Sequence, residues 1–331
     1  MAILKREQGA KNLQANIGYA DSVEVVNDFD SRHPWNGIYK YADEAGNYWV
    51  RIPKFYTNYV LDENNHIKQR YISEYKVGDD WNVNPIFLNE DGQELPYIEI
   101  AAYLITLDNN VPTSKPGGYP TTGQRLNDMR TLVNNLNTEE GEYKYGLFNI
   151  WASMLEQDLF TIEYANTYVP SVMSGYNYSA YNGRGMSKAG TTDDNPHHTG
   201  MISAAANNNG SAPMKYRHIE NMIGNGHLVL DGIKLSGNNV YVDGQVTTIP
   251  RIKTTGYIEK LQFDPTTRLV FPAVVTNQGS YLDYFSGNDS DNQIIVRGTN
   301  LNEGYGLFCY SCFSENGRDN YGTYRMIRQP K

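Results

Sequence analysis

The last fifty residues of the chain place the strongest limit on its fold, because so few of them are apolar. Residues 279–328 read GSYLDYFSGNDSDNQIIVRGTNLNEGYGLFCYSCFSENGRDNYGTYRMIR. This composition is unsuited to a packed helix and too polar for a central strand. Tyr provides contact area at a low entropy cost, while Ser, Asn and Gly provide adaptable hydrogen bonding. The stretch therefore predicts a recognition surface rather than a catalytic cleft.

Length and charge exclude several classes of partner. The 331 residues suffice for one large domain or two ordinary ones, and 30 Gly with 14 Pro indicate many loops. A net charge of −9 disfavours binding to nucleic acid or to an anionic membrane. The first residues lack the apolar segment of a signal peptide, and no run of 18 apolar residues predicts a membrane span. We expect synthesis in a cytoplasm without membrane insertion.

Hydrophobic periodicity predicts an α+β protein with two early helices and many short, twisted antiparallel strands. Apolar residues recur at helical spacing from Leu126 to Leu136 and from Leu147 to Leu159, and the second apolar stripe is the wider one. Thr121 or Thr122 is the expected cap of the first helix. Residues 1–30 are weakly patterned and are interpreted as an N-terminal arm or attachment segment, and residues 31–331 as one domain. Residues 174–212 have no periodicity and predict a long loop.

Candidate catalytic and metal-binding residues are few. His197-His198 follow Asp193-Asp194 in a loop that is more typical of a solvated segment than of a metal cluster. Glu220 lies near two histidines in sequence, but no nucleophile stands at a recognisable spacing. The lone pair Cys309 and Cys312 lacks the context of a zinc or redox motif. We therefore predict no catalytic residues, no metal ligands and no cofactor.

Several short motifs, taken in order, resemble one family. Residues 216–225 (YRHIENMIGN) are similar to the R-G-I-E-N-x-W-G-N element of C-type-lectin-fold proteins related to formylglycine-generating enzymes. Residues 52–56 (IPKFY) resemble a strand of phage tail proteins with this fold. The closing motifs R-G-G-S, G-L-F and G-F-R-L of the family resemble residues 297–300, 306–308 and 322–327. The likeness covers about residues 35–331 and implies a C-type-lectin-like domain.

Within that family, the Tyr- and Asn-rich end resembles the variable region of proteins diversified by retroelements, which include phage receptor-binding proteins. The resemblance implies a non-enzymatic adhesin of the phage tail, located in the virion, with its binding face at about residues 279–325. The implied partner is a host cell-surface protein or glycan, and tail attachment or a homo-oligomer would add avidity. The implied ligand contacts are Tyr281, Asp283, Tyr284, Asn300, Asn302, Tyr305, Tyr310, Ser311, Ser314, Asn316, Arg318, Asp319, Asn320 and Tyr321.

Two alternatives remain open at this point. The related formylglycine-generating enzymes oxidise a substrate cysteine with a cysteine pair near the same place, but here Cys309 and Cys312 are more closely spaced than that pair. A calcium-dependent sugar lectin would need Glu-Pro-Asn and Trp-Asn-Asp motifs, which the sequence lacks. The inward-facing residues of the binding region are expected to be Leu307, Phe308, Met326 and Ile327.

Overall fold

The structure is a computed structural model that describes residues 3–7, 29–169, 172–173, 186–202, 213–281, 283–298 and 306–331. Strand makes up 39% of it and helix 14%, and its sheet is barrel-like. The expected class, an α+β protein of the C-type-lectin type, is therefore wrong, because the protein is mostly β. The two helices do occur. The strand content was underestimated because many strands are only two to five residues long and are too polar to show a clear alternation.

The described residues contain two α-helices, α1 (Leu126–Asn134) and α2 (Ile150–Tyr164). The strands are β1 (Ile3–Glu7), β2 (Tyr39–Ala42), β3 (Tyr48–Pro53), β4 (Tyr56–Leu61), β5 (Ile67–Ser73), β6 (Asn82–Val83), β7 (Tyr97–Ala101), β8 (Thr106–Asp108), β9 (Val111–Thr113), β10 (Tyr143–Leu147), β11 (Gly200–Met201), β12 (Met214–Tyr216), β13 (Ile219–Glu220), β14 (His227–Ser236), β15 (Asn239–Val242), β16 (Gln245–Pro250), β17 (Gly256–Phe263), β18 (Val270–Thr276), β19 (Tyr284–Ser286), β20 (Gln293–Arg297), β21 (Tyr310–Ser314), β22 (Gly322–Thr323) and β23 (Met326–Pro330).

Among the described residues these strands form five sheets. The largest has the order β16-β15-β14-β20-β21-β19-β17-β18, and β22 pairs with β14. The others are β10-β23-β7-β3-β2, β1-β5-β4-β6, β11-β12-β13 and the hairpin β8-β9. β21 lies between β20 and β19. The polar C-terminal stretch thus supplies an interior strand, contrary to expectation, because its backbone groups pair on both sides while Tyr310 is buried.

Helix α2 is buried along its whole length. Asn149 caps it by accepting a hydrogen bond from the Ala152 amide at 2.9 Å. All of its residues are buried, which agrees with the prediction that it is the more buried helix. Helix α1 starts after Arg125 without a side-chain cap, so neither threonine serves as predicted. No helix in the described ranges has the length and apolar character needed to cross a membrane.

Three carboxylates of α2 pair with arginines from three different sheets. Glu156 accepts from Arg297 of β20 at 2.5 Å. Asp158 pairs with Arg70 of β5. The third carboxylate, Glu163, accepts at 2.6 Å from Arg217, which lies in the turn between β12 and β13. All six side chains are almost completely buried, so α2 connects the sheets through charged contacts as well as through apolar packing.

One face of the five-stranded sheet carries a row of aromatic and charged side chains. The strand register aligns Tyr145, Arg328, Glu99, Arg51 and Tyr39 across the five strands. Glu99 is fully buried and accepts from Arg328 Nε at 2.6 Å and from Arg51 Nε at 2.8 Å. The tyrosines at the two ends are partly exposed. This is expected of Tyr, which favours half-buried positions on strands.

The predicted arm and the predicted long loop are described only in part. Residues 3–7 form β1, which runs antiparallel to β5 with Ile3 opposite Ser73. Residues 8–28, 174–185 and 203–212 lie outside the described residues. The division into an arm of residues 1–30 and a domain of residues 31–331 therefore stays a prediction.

Candidate functional site

The exposed end of the C-terminal stretch is a pair of β-turns that follows β21. The Gly317 amide donates to the Ser314 carbonyl at 2.9 Å, and the Gly322 amide donates to the Asp319 carbonyl at 3.0 Å. Ser or Asp at the first position and Gly at the fourth are the residue types that such turns prefer. We call residues 314–322 the double turn. It lies beside residues 287–292, since the Glu315 amide donates to the Asn292 carbonyl at 2.9 Å.

Asp319 fixes the double turn to the rest of the protein. Its carboxylate accepts from His227 Nδ1 at 2.5 Å and from the Tyr321 amide at 2.9 Å, and its carbonyl accepts from the Gly123 amide at 3.1 Å. Burial by itself would raise the pKa of Asp319. The hydrogen bond and the charge of His227, together with backbone N–H groups, nevertheless hold that pKa below its ordinary value. Asp319 is therefore an internal support of the turn and is itself buried.

Four polar side chains of the double turn are exposed, at every second position. They belong to Ser314, Asn316, Arg318 and Asn320. Tyr321 is half-buried, and its ring lies 6.1 Å from the His227 ring. The structure thus brings these predicted contacts together on one short surface segment with a defined backbone.

The other predicted contacts are distributed differently. Ser311 and Tyr284 are half-buried on the parallel strands β21 and β19. Asn300, Asn302 and Tyr305 lie outside the described residues. Tyr281, Asp283 and Tyr310 are described, and all three are buried.

The three buried residues contribute to the core beneath the C-terminal stretch. The hydroxyl of Tyr310 accepts a hydrogen bond from Gln157 of α2, and its ring lies 5.3 Å from Phe271. The ring of Tyr281 packs edge-on against Phe308 at 5.2 Å. Asp283 accepts from the Phe308 amide at 2.8 Å. As placed, these side chains cannot reach a ligand on the surface, whereas those of the double turn can.

The inward-facing residues follow the prediction. Leu307, Phe308, Met326 and Ile327 are all buried, which confirms that they belong to the core. Arg325, between the last two strands, is also buried and donates to the carbonyls of Ala101 and Ala102 at 2.7 and 3.0 Å. It further donates to the Glu220 carbonyl.

The two cysteines lie on and next to β21, and neither is in a disulfide within the described residues. Cys309 is buried and Cys312 is half-buried. Burial raises the pKa of the Cys312 thiol to about 11, more than the nearby Arg251 lowers it. Because the thiolate is the reactive form, this environment disfavours nucleophilic or redox chemistry at Cys312.

A cleft of about 580 Å³ lies next to the double turn, and we call it the side cleft. Strands β14 and β15 with their connections form most of it, and Arg130 of α1 closes one side. Residues Asn292 and Glu315 contribute the wall nearest the double turn. Its lining residues are Arg130, Asp231, Gly232, Ile233, Lys234, Ser236, Tyr241, Asp243, Gly244, Asn292, Ile294 and Glu315.

Two ion pairs span the walls of the side cleft. Arg130 Nη2 lies 2.5 Å from Asp231 Oδ1, and Lys234 Nζ lies 2.8 Å from Glu315 Oε2. The fifth charged group, Asp243, accepts from Trp151 Nε1 at 2.8 Å. Burial raises the pKa of this carboxyl and the negative charge of Asp231 raises it further, by more than the hydrogen bond from Trp151 lowers it.

Sequence reasoning missed the side cleft because its two Asp-Gly pairs, Asp231-Gly232 and Asp243-Gly244, are residue types that usually indicate turns. Asp231-Gly232 lies inside β14, where the pairing with β20 shifts register between Leu230 and Lys234. This bulge directs Asp231 towards Arg130. An isolated Gly within a strand pattern indicates a bulge, and that signal was available in the sequence.

Metal-ligand geometry is not found in the described part of the chain, where no three His, Cys, Asp or Glu side chains come together to hold an ion. His198 Nε2 lies 3.2 Å from Asp30 Oδ1, so this histidine belongs to an ion-pair cluster with Arg217. No family model matches the chain, and no curated protein matches it either.

Proposed function

We propose that this protein is a non-enzymatic receptor-binding protein, a phage tail-associated adhesin whose C-terminal face contacts a host cell-surface protein or glycan. The observation that carries the proposal is the double turn. There, four exposed polar side chains stand on a backbone held by two turn hydrogen bonds and by Asp319. A binding loop on a rigid scaffold loses little conformational freedom on association.

The chemistry of the C-terminal stretch supports binding rather than catalysis. Cys312 has a raised pKa, and Cys309 is buried. A formylglycine-generating activity would need a reactive thiolate, which this environment disfavours. We also propose that the protein acts on the virion. There it is attached through the segment of residues 1–30 or is assembled as a homo-oligomer.

The test is a triple substitution of the double turn, Ser314→Ala with Asn316→Ala and Asn320→Ala. The labelled full chain is incubated with a panel of bacterial cells, and bound protein is measured by flow cytometry. We expect at least a tenfold loss of binding, because about 1 kcal/mol is lost at each polar contact. The melting temperature should stay unchanged, since the three side chains are exposed.

The matched control replaces three exposed side chains of the β4–β5 hairpin, Glu63, Asn64 and Lys68, by Ala. This variant should bind as well as the unmodified protein. If both triple variants bind equally well, the double turn is not the receptor surface. If the control alone loses binding, the receptor surface lies at the β4–β5 hairpin.

A further inference from the structure

The side cleft has the size and the lining of a small-ligand site. Its volume of about 580 Å³ lies within the range typical of such sites. Ile233 and Ile294 contribute apolar wall, and Tyr241 adds a ring with a hydroxyl. The polar side chains of the lining lie around these apolar residues. A site of this kind binds a compact ligand that has both apolar and hydrogen-bonding surfaces.

The charges of the cleft are mostly cancelled before any ligand enters. Arg130 is committed to Asp231, and Lys234 is paired with Glu315. Asp243 is the remaining charged group, and its raised pKa favours the neutral form relative to an ordinary carboxyl. An anion therefore gains little in the cleft, and Asp243 is the one charged lining residue for a cation that is not already in an ion pair.

Both acceptors and donors of hydrogen bonds nevertheless remain available in the cleft. Within the described residues, Asp231 Oδ2, Asp243 Oδ1 and Glu315 Oε1 accept no hydrogen bond. Lys234 and the Tyr241 hydroxyl retain hydrogens to donate. A group that both donates and accepts at neighbouring positions matches this arrangement, and adjacent hydroxyls on a ring are such groups.

We propose that the side cleft binds a neutral saccharide unit, with ring hydroxyls donating to the free carboxylate oxygens and accepting from Lys234 and Tyr241. The inference rests on the proposed function, since the unit would belong to a glycan whose next part contacts the double turn. Glu315 belongs to both surfaces, because it lines the cleft and lies within the double turn.

The test uses the full chain and four neutral disaccharides, lactose, maltose, cellobiose and diacetylchitobiose, titrated in a calorimeter and followed by saturation-transfer NMR. We expect saturable binding of at least one disaccharide, with an affinity that is the same at low and at high salt. The n-butylammonium ion serves as the charged probe and should not compete.

Two variants locate the binding. Ser236→Trp places a large ring in the cleft and should abolish saturable binding. Its matched control is Val60→Trp on β4, an exposed strand position outside the cleft, which should bind within about twofold of the unmodified protein. Asp243→Asn keeps the oxygen that accepts from Trp151 and suits the left-handed backbone of that position. It removes one acceptor and should weaken binding about three- to tenfold.

Several results would overturn the proposal. They are the absence of saturable binding by all four sugars, binding that persists in Ser236→Trp, or salt-sensitive binding of n-butylammonium in place of sugar. The triple variant of the double turn should still bind the disaccharide. If that variant keeps cell binding as well, the proposed receptor surface fails while the saccharide site stands.

Discussion

Asp283 carries a buried carboxyl group with one well-bonded and one unbonded oxygen. Oδ2 accepts from the Phe308 amide, and Oδ1 has no hydrogen-bond partner in the described residues. Burial raises the pKa of this carboxyl to about 8, far more than the Phe308 hydrogen bond lowers it. A Cβ on Gly306 would lie 1.9 Å from Oδ1, so only glycine permits this packing.

Asp283→Asn should reduce the pH dependence of stability. Between about pH 4 and about pH 8 the native state keeps a proton that the unfolded state has released, so the free energy of unfolding falls as pH rises. The amide cannot ionise, so the free energy of unfolding of the variant should not show this decrease of several kcal/mol. The variant should therefore be more stable than the unmodified protein near pH 8. Urea denaturation across pH 5–8 measures it. Parallel curves for the two proteins would contradict the assignment.

Residue type alone could not separate the core from the surface in the C-terminal stretch. Tyr310 and Tyr321 have the same side chain, yet the first lies on an interior strand and the second on the double turn. The apolar residues Leu307 and Ile327 were placed correctly because burial follows from their type alone. For Tyr and Asp, burial depends on hydrogen-bond partners such as Gln157 and the Phe308 amide. No sequence pattern predicts these contacts.

At the scale of elements, one central carboxylate links three neighbouring strands of the five-stranded sheet. Glu99 on β7 accepts from arginines on both neighbouring strands. The guanidinium of Arg328 also lies 4.1 Å from the ring centroid of Trp49. Removal of the carboxylate would leave the almost completely buried Arg328 without its strongest partner.

Glu99→Gln should lower the free energy of unfolding by about 3 kcal/mol, as expected when one member of a buried ion pair is removed. Its control is Glu94→Gln, which breaks the partly exposed pair with Lys54 and should cost less than about 1 kcal/mol. Chemical denaturation of both variants at neutral pH provides the comparison. Equal losses would show that burial does not govern the strength of these pairs.

The double turn gives a second prediction at this scale. The ionised carboxylate of Asp319 has a lowered pKa, so its stabilising effect is complete above pH 4 and is lost as pH falls through the lower native pKa. Asp319→Asn should destabilise the protein by about 1 kcal/mol at pH 7. The difference between the two proteins should shrink progressively as the pH is lowered below about 4. The control is the exposed Asp289→Asn, which should change the free energy of unfolding at pH 7 by less than about 0.5 kcal/mol.

In the whole molecule, α2 acts as the common partner of three sheets. Its paired carboxylates Glu156, Asp158 and Glu163 contact arginines that are far apart in sequence. Such contacts couple the stability of the sheets, because Arg297 and Arg70 lose their carboxylate partners if α2 leaves its place, and Arg217 keeps only its ion pair with the half-exposed Asp30. We therefore expect the described sheets to unfold together.

Glu156→Gln, Asp158→Asn and Glu163→Gln test this coupling. Glu156→Gln and Asp158→Asn should each lower the free energy of unfolding by about 3 kcal/mol, because a buried arginine loses its carboxylate. Glu163→Gln should cost less, because Arg217 keeps its ion pair with Asp30. Each variant should also melt in a single transition, at a lower temperature than the unmodified protein. Calorimetry with hydrogen exchange on each sheet provides the measurement. A variant that melts in two steps would show that one sheet is stable without α2.

The sequence predicted the positions of both helices but not the class of the fold. Helical periodicity over residues 126–136 and 147–159 depends on neighbouring residues, so it is visible locally. The pairing of β23 with β10 and β7 joins residues that are roughly 180 to 230 positions apart, and no local pattern encodes it. The side cleft escaped notice for the same reason, since Arg130, Asp231 and Glu315 meet only after folding.

The double turn also determines which kinds of change its surface tolerates. Both of its hydrogen bonds join a residue to the third one after it, and only Asn320 and Tyr321 connect the fixed Asp319 to Gly322 of β22. An inserted residue would break one of these turns and shift the strands that follow, which turns buried side chains outwards. Replacement of an exposed side chain leaves every backbone contact intact. The side chains of the double turn can therefore change by substitution at constant length.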